Sequence, residues 1–135
     1  MNPREIKKMR FFDIKDVVFE ISERGYIINS GEDTISYNTF FVYPEVNALL
    51  NRTASILLLK LDGIRTIFEI FSETFEVYEG VTEDDYICDF MDTINHLERS
   101  GIIYSISERE RYDKIRNNSR KALLSHLRVL NREVE

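Results

Sequence analysis

Helix start signals constrain this chain more than any other feature, and they recur three times, at Asn51, Thr66 and Thr82. A polar side chain of this kind, placed just before a helix, accepts a backbone N–H of the first turn. Glu69 follows Thr66 at the spacing of a capping box, and Gly63 and Gly101 provide stop signals further along. The pattern predicts three helices, which span residues 53–61, 66–75 and 82–99.

The apolar residues of the second and third predicted helices recur at helical spacing. In the second helix they are Ile67, Ile70, Phe71 and Phe75, and in the third they are Ile87, Phe90, Ile94 and Leu97. Acidic residues crowd the first turn of the third helix, where the helix dipole favours them. Each of these helices is therefore expected to bury one face. A short strand over residues 102–106 is expected to follow.

Strand patterns precede Asn51. They cover residues 17–21, 26–29, 35–43 and 46–50 and are separated by turn residues. We expect the first two to pair as a hairpin across Ser22-Glu23-Arg24-Gly25, and Ser30-Gly31-Glu32-Asp33 to form a second turn. Pro44 has no backbone N–H to donate, so the last strand begins after it. The N-terminal third is predicted to be an antiparallel sheet of three or four strands.

The predicted order of elements indicates a fold class. An antiparallel sheet followed by three helices and a closing strand is typical of an α+β winged helix-turn-helix. Residues 1–106 form this predicted domain, and residues 107–135 predict an extra amphipathic C-terminal helix. Its apolar positions are Tyr112, Ile115, Leu123, Leu127, Leu130 and Val134. The last four have coiled-coil spacing, but two heptads are too few for a coiled coil.

The net charge of the chain changes sign at the same boundary, between residues 106 and 107. Residues 1–106 hold ten Lys and Arg against nineteen Asp and Glu, a net charge of −9, whereas residues 107–135 hold eight against five, a net charge of +3. The third predicted helix carries six carboxylates and one arginine. Because affinity for DNA comes mainly from neutralised phosphates, this helix is a poor DNA reader, and no nucleic acid is predicted as a partner. The alternative function is a winged-helix transcriptional regulator that contacts DNA through the basic tail.

Patterns typical of catalysis or metal binding are missing from the sequence. His96 and His126 lie in different segments, and neither has a Cys or carboxylate at metal-ligand spacing. The aspartates of the third predicted helix lack the glycine turn of a calcium loop. Cys88 is the only cysteine and is expected to be a small buried hydrophobe. We therefore predict no enzyme, no catalytic or metal-binding residue and no cofactor.

Membrane and export signals are also missing. No apolar run reaches the length of a membrane-spanning helix, and the N-terminal residues lack the apolar core of a signal peptide. A single cysteine fits a reducing compartment. We expect a cytoplasmic protein with no membrane partner.

The strand over residues 46–50 is the predicted binding element. At the edge of a sheet, its unpaired backbone groups are a template for an incoming extended peptide. Alternation places Val46, Ala48 and Leu50 on one face and Asn47 and Leu49 on the other, and the small Ala48 leaves room for a guest side chain. The third helix is expected to wall the groove with Tyr86, Asp89, Phe90, Met91 and Thr93.

An ordered series of short motifs runs from residue 43 to residue 103. It consists of Tyr43-Pro44-Glu45, the strand 46–50, Asn51-Arg52-Thr53-Ala54, Ile56-Leu57, Leu61-Asp62-Gly63, Arg65-Thr66, Glu69-Ile70, Val81, Asp85, Asp89 and Leu97-Glu98-Arg99-Ser100-Gly101-Ile102. In order and spacing, this series resembles the PqqD-like family, also called the RiPP recognition element.

The resemblance implies a small winged-helix module that has no chemistry of its own. Such a module takes the leader segment of a ribosomally synthesised precursor peptide as an added antiparallel strand. By position, the leader would lie between the strand 46–50 and the helix 82–99. The module would present the core segment to a partner enzyme, such as a radical SAM protein or a cyclase.

Two parts of the chain depart from the family pattern. The strand region over residues 9–43 is longer than the family needs, which leaves open which strand is the free edge. The C-terminal helix is additional. Packing across the domain and homodimerisation through Leu123, Leu127 and Leu130 are the favoured roles for it, and docking of an enzyme or control of access to the groove are the alternatives.

Overall fold

The fold is known from a computed structural model, which describes residues 1–40 and 46–134, with side chains as far as Val129. The described residues form five helices and two three-stranded antiparallel sheets, so the predicted α+β class is confirmed. The helices are α1 (Pro3–Ile14), α2 (Arg52–Lys60), α3 (Ile67–Phe75), α4 (Glu83–Arg99) and α5 (Glu108–Val134). The strands are β1 (Val18–Ile21), β2 (Gly25–Gly31), β3 (Thr34–Thr39), β4 (Asn47–Leu49), β5 (Asp62–Thr66) and β6 (Ile103–Ile106).

The three predicted helix starts are confirmed. Asn51 accepts the backbone N–H of Ala54 at 2.8 Å. Thr66 and Glu69 form a reciprocal capping box before α3. Thr82 accepts the backbone N–H of the third residue of α4 at 3.2 Å. Each cap is local, so the residue types near it are sufficient to specify the helix start.

The hairpin predicted between the first two strand patterns is wrong. β1 pairs with β5 and β6 instead, in the order β5-β1-β6, and Val18 lies opposite Thr66 on one side and Ile106 on the other. Val18 and Phe19 are consecutive in β1 and both are buried. Because both faces of β1 are buried and both of its edges pair with other strands, it is a central strand. Its partners come from distant segments of the chain. One of them, β5, lies between α2 and α3, where no strand was predicted.

The second sheet has the order β2-β3-β4. β2 and β3 are joined by the predicted turn at Gly31-Glu32-Asp33, where Asp33 has a φ of 57°. β4 is one residue shorter at each end than the predicted strand 46–50. The predicted continuation of the third strand to residue 43 and the turn at Pro44 lie outside the described residues. The N-terminal strands are thus divided between two sheets and do not form the single sheet of three or four strands that was predicted.

Helix α1 precedes every strand, so the predicted order of a sheet followed by helices is wrong at its start. Asn2 accepts the Glu5 backbone N–H at 2.8 Å, and Pro3 occupies the first helical position. On its inner face, α1 packs Phe11 against Phe71, with ring centroids 4.8 Å apart, and against Phe90 at 6.1 Å. The helix is therefore part of the core and not an appendage.

The core lies between α1, α2, α3, α4 and the inner faces of the two sheets. Tyr37 is fully buried in it, and its hydroxyl donates to the Ser22 carbonyl at 3.1 Å. Ser55, also buried, accepts the backbone N–H of Ile35 at 3.0 Å. Cys88 is a buried free thiol, as predicted. The buried polar groups thus join β3 to α2 and to the end of β1.

Among the residues whose side chains are described, helix α5 is attached to the domain by its first two turns. The guanidinium of Arg111 donates to the Ile64 carbonyl at 2.7 Å, and Lys114 pairs with Glu20. Every residue from Ile115 to Val129 is exposed. No helix in the described part of the chain has the length and apolarity that a membrane crossing requires.

The position of Phe11 predicts its contribution to stability. Phe11→Ala should lower the free energy of unfolding by about 3–5 kcal/mol, because it leaves a cavity between α1, α3 and α4. Phe12→Ala is the comparison variant, since Phe12 is 62% exposed and contacts the core through the Phe11 ring, with ring centroids 5.8 Å apart, and it should lower stability by about 1 kcal/mol at most. Urea unfolding followed by circular dichroism measures both. Equal losses in the two variants would contradict this packing.

Candidate functional site

β4 is an edge strand: among the described residues it pairs with β3 alone. The backbones of Val46 and Leu50 each bond to β3 at 3.0 Å. Because bonded residues alternate along an antiparallel ladder, Ala48 is the next residue that bonds to β3. The backbone groups of Asn47 and Leu49 therefore face away from β3. With respect to residues 1–40 and 46–134, they form an open edge with two N–H donors and two carbonyl acceptors.

The side chains around β4 alternate as predicted. Val46 and Ala48 are half-buried against the core, and Leu50 is buried. Asn47 is exposed, and Leu49 is 75% exposed. Ala48 thus points to the inner side of the sheet. An added strand would place alternate side chains beside Ala48 on the inner side and beside Leu49 on the outer side.

A groove of about 300 Å³, here called the α4 groove, opens where β4 gives way to α2. Its lining consists of Asn51, Thr53, Tyr78, Val81, Tyr86, Asp89, Asp92 and Thr93. Three of the residues predicted to wall a peptide site, Tyr86, Asp89 and Thr93, thus share one groove. The β4 residues do not line it. Because Asn51 directly follows Leu50, the groove begins where the open edge ends.

Aromatic and hydroxyl contacts hold the lining of the α4 groove in place. The hydroxyl of Tyr86 donates to Thr74 Oγ1, and the Tyr86 ring packs against Tyr78 with centroids 5.2 Å apart. The hydroxyls of Tyr78 and Thr53 are 3.5 Å apart. Burial raises the pKa of Tyr86 above its usual value, and the hydrogen bond with Thr74 opposes that shift. These contacts join the loop after α3 to the start of α2.

The charges in the α4 groove are negative. Asp92 pairs with Lys7 of α1 at 2.9 Å. Asp89 is exposed, and its carboxylate has no ion-pair partner within the described ranges 1–40 and 46–134. The groove therefore has one paired carboxylate and one that is open to a cation on a bound molecule.

The other acidic residues of α4 that take part in ion pairs face α1. Lys8 pairs with Asp84 at 2.6 Å, Arg10 pairs with Glu98 at 3.1 Å, and Arg4 pairs with Asp85. The Arg4 guanidinium lowers the pKa of Asp85, first by a hydrogen bond and then by its charge. Together with the pair in the groove, four bases of α1 thus neutralise four acids of α4.

Two of the predicted contact residues do not face the α4 groove. Phe90 is 1% exposed and Met91 is 0% exposed, because both belong to the buried side of α4. Sequence reasoning missed Tyr78 and Val81, which line the groove from the loop between α3 and α4. The signal in the sequence is that these two apolar residues lie on either side of a loop glycine, Gly80.

Other parts of the structure offer little for chemistry. A larger cavity of about 620 Å³ lies between the segment after β1 and the start of β6, with Arg24, Glu98 and Tyr104 in its lining. No residue of β4 lines it, and its lining lacks a nucleophile paired with a base. Within the described residues, no three His, Cys, Asp or Glu side chains lie close enough together to hold a metal ion.

The buried Tyr86 hydroxyl predicts a loss of stability at alkaline pH. The folded protein keeps this proton at a pH where the unfolded chain loses it, so stability falls as the pH rises above about 10. Tyr86→Phe should cost about 1 kcal/mol near neutral pH, since Thr74 keeps its bond to Ile70, and should make the alkaline fall shallower. Urea unfolding across the alkaline range measures this. Tyr112→Phe, at a site 65% exposed, is the control and should match the unaltered protein.

Comparison with known proteins gave no relative for this chain: no family model, curated protein or solved structure matches it. The functional assignment therefore depends on the residues themselves. Those residues form an open strand edge at Asn47 and Leu49, and a groove where that edge ends, in which one carboxylate has no ion-pair partner in the part of the chain that the structure describes.

Proposed function

We propose that this protein binds the leader segment of a ribosomally synthesised precursor peptide by β-strand addition at β4 and presents it to a modifying enzyme. The observation that supports this most is the open edge of Asn47 and Leu49, which ends at the α4 groove. The protein supplies no catalytic group in this scheme. The partner enzyme belongs to the peptide-modifying classes that the family resemblance implies, a radical SAM protein or a cyclase.

Hydrogen bonds at the edge account for only part of the affinity. Four outward backbone groups at about 0.5–1.5 kcal/mol each supply about 2–6 kcal/mol. Micromolar binding requires about 8 kcal/mol, and ordering the peptide has its own cost. Side-chain contacts must supply the rest. The α4 groove offers Tyr78 and Val81 for apolar contact and Asp89 for a basic side chain of the leader.

The proposed fold type is a winged helix-turn-helix. Its supports are the succession of α2, α3 and α4 and the return of the chain through β6 to a small sheet with β1 and β5. In the proposed binding mode, the leader pairs with β4 and continues toward α4.

The position of α1 argues against DNA binding through α4, which is a different contact from the basic tail of the alternative regulator. Four ion pairs and the buried Phe11 hold α1 along the acidic face of α4. If this face of α4 entered a major groove, α1 would have to detach from α4. The core would then lose Phe11, and the acids of α4 would lose the four bases that neutralise them. The leader-binding proposal needs no such rearrangement.

Proline at the open edge tests the proposal. Leu49→Pro removes an outward N–H that the domain's own ladder does not use, so the fold should persist. We expect the leader half of the precursor encoded beside this gene to bind with micromolar or better affinity. Leu49→Pro should weaken that binding about 5- to 10-fold, the equivalent of one lost hydrogen bond. Isothermal titration calorimetry measures both affinities.

Two control variants identify the edge in use. Leu49→Ala keeps the N–H and removes the side chain, so it separates the backbone effect from apolar contact. Ile27→Pro makes the same change on β2, the opposite edge of the sheet, and should leave the affinity unchanged. Loss of binding in Ile27→Pro alone would move the site to β2, and no binding by the unaltered protein to its neighbouring precursor would refute the proposal.

A further inference from the structure

The exposed part of α5 has no packing partner among the described residues. The helix has 27 residues, and at 1.5 Å per residue it is about 40 Å long. From Ile115 to Val129 every residue is exposed, including Leu123 at 58%, Leu124 at 52% and Leu127 at 45%. A single helix in water is marginally stable, because most helical stability in proteins comes from packing of an apolar face. The leucines therefore indicate an interface.

One face of α5 has a definite order of side chains. Arg116, Arg120, Leu123 and Leu127 follow one another at spacings of four, three and four, so they lie on the same side of the helix. Residues 114–132 contain six Lys and Arg and no Asp or Glu. The surface that receives this face must therefore be apolar under the leucines and acidic under the arginines.

A slot between β2 and α2 has these properties. It measures about 470 Å³, and its apolar lining consists of Ile27, Ile28, Ile35, Ile56 and Leu59. Leu59 is 58% exposed and Ile27 is 37% exposed, so the slot is open to a partner. Asp33 lies in its lining and pairs with Arg52 at 3.4 Å, and Glu32, which precedes Asp33 in the same turn, is exposed and has no ion-pair partner among the described residues. The slot belongs to the part of the chain whose net charge is −9.

We propose that α5 of one copy packs its leucines into the β2–α2 slot of a second copy, with Arg116 and Arg120 directed toward the acidic turn at Glu32 and Asp33. Reciprocal exchange gives a twofold dimer in which the same contact forms twice. The buried area of the dimer is therefore twice that of a single contact. This interface goes beyond leader binding, because the slot adjoins β2 and the leader site adjoins β4.

Direct pairing of two α5 helices is less favourable on charge. In a parallel pair, Arg116 and Arg120 of each copy would meet the same residues of the other. In an antiparallel pair, they would lie beyond the short leucine stretch and add no favourable contact. An anionic membrane would attract the basic residues of α5 but would repel the acidic body to which the helix is attached. The slot of a second copy offers apolar side chains to the leucines and an acidic turn to the arginines.

The oligomeric state of the full chain tests the proposal. Sedimentation equilibrium should give twice the 16.0 kDa mass of one chain. Leu127→Glu on the helix and Leu59→Glu in the slot should each give monomers, and both sites are exposed enough for the monomer fold to persist, which circular dichroism checks. Ser125→Glu, on another face of α5, is the matched control and should remain dimeric.

Mixing the two variants distinguishes this interface from the alternatives. Leu127→Glu keeps an intact slot and Leu59→Glu keeps an intact helix, so one of the two contacts can form in the mixture. The mixture should therefore give a complex of one copy of each, weaker than the dimer of the unaltered chain, although neither variant associates alone. A dimer that persists in Leu59→Glu and is lost in Leu127→Glu would indicate helix-to-helix pairing and overturn the proposal. A monomeric unaltered chain would overturn it as well, whether or not that chain binds vesicles of anionic lipid.

Discussion

The aromatic contact among Phe11, Phe71 and Phe90 fixes the position of α4, and the other features of the structure depend on that position. It joins α1, α3 and α4, and each ring is at most 4% exposed. Burial of each phenylalanine contributes about 1.5–3 kcal/mol, which is large beside the net stability of a small domain. With this side of α4 held in the core, its polar residues are divided between the contact with α1 and the α4 groove.

The charges of α4 show how local sequence counts can mislead. Counted alone, the helix is strongly acidic, and the count indicates repulsion of DNA. In the folded chain, α1 brings four bases to these acids from more than seventy residues away. Such pairs are exposed and individually weak, so the buried Phe11 must supply most of the attachment of α1. Because Asp92 is paired with Lys7 of α1, Asp89 is the carboxylate of the groove that has no ion-pair partner among the described residues.

The sequence specifies the local parts of this fold and leaves the long-range parts open. Asn51, Thr66 and Thr82 predict the helix starts because a cap acts within one turn. The alternation around β4 is likewise local, and Tyr86, Asp89 and Thr93 follow from the period of α4. The partners of β1 are not local, since they come from β5 and β6. Helix α1 was missed because it buries only Phe11 and Ile14, which is too short an apolar series for a periodic pattern.

The two open edges of the second sheet present different problems. An exposed edge is a template for uncontrolled pairing, and proteins commonly protect it with lysine, proline or a covering element. Neither β2 nor β4 contains a charged residue or a proline within its bounds. β4 is only three residues long, which limits unwanted pairing, and its end leads into the α4 groove. β2 is seven residues long, and its apolar slot would be covered by a helix of a second copy in the proposed dimer. A strand on β4 and a helix beside β2 would each protect an edge that the sequence leaves unprotected.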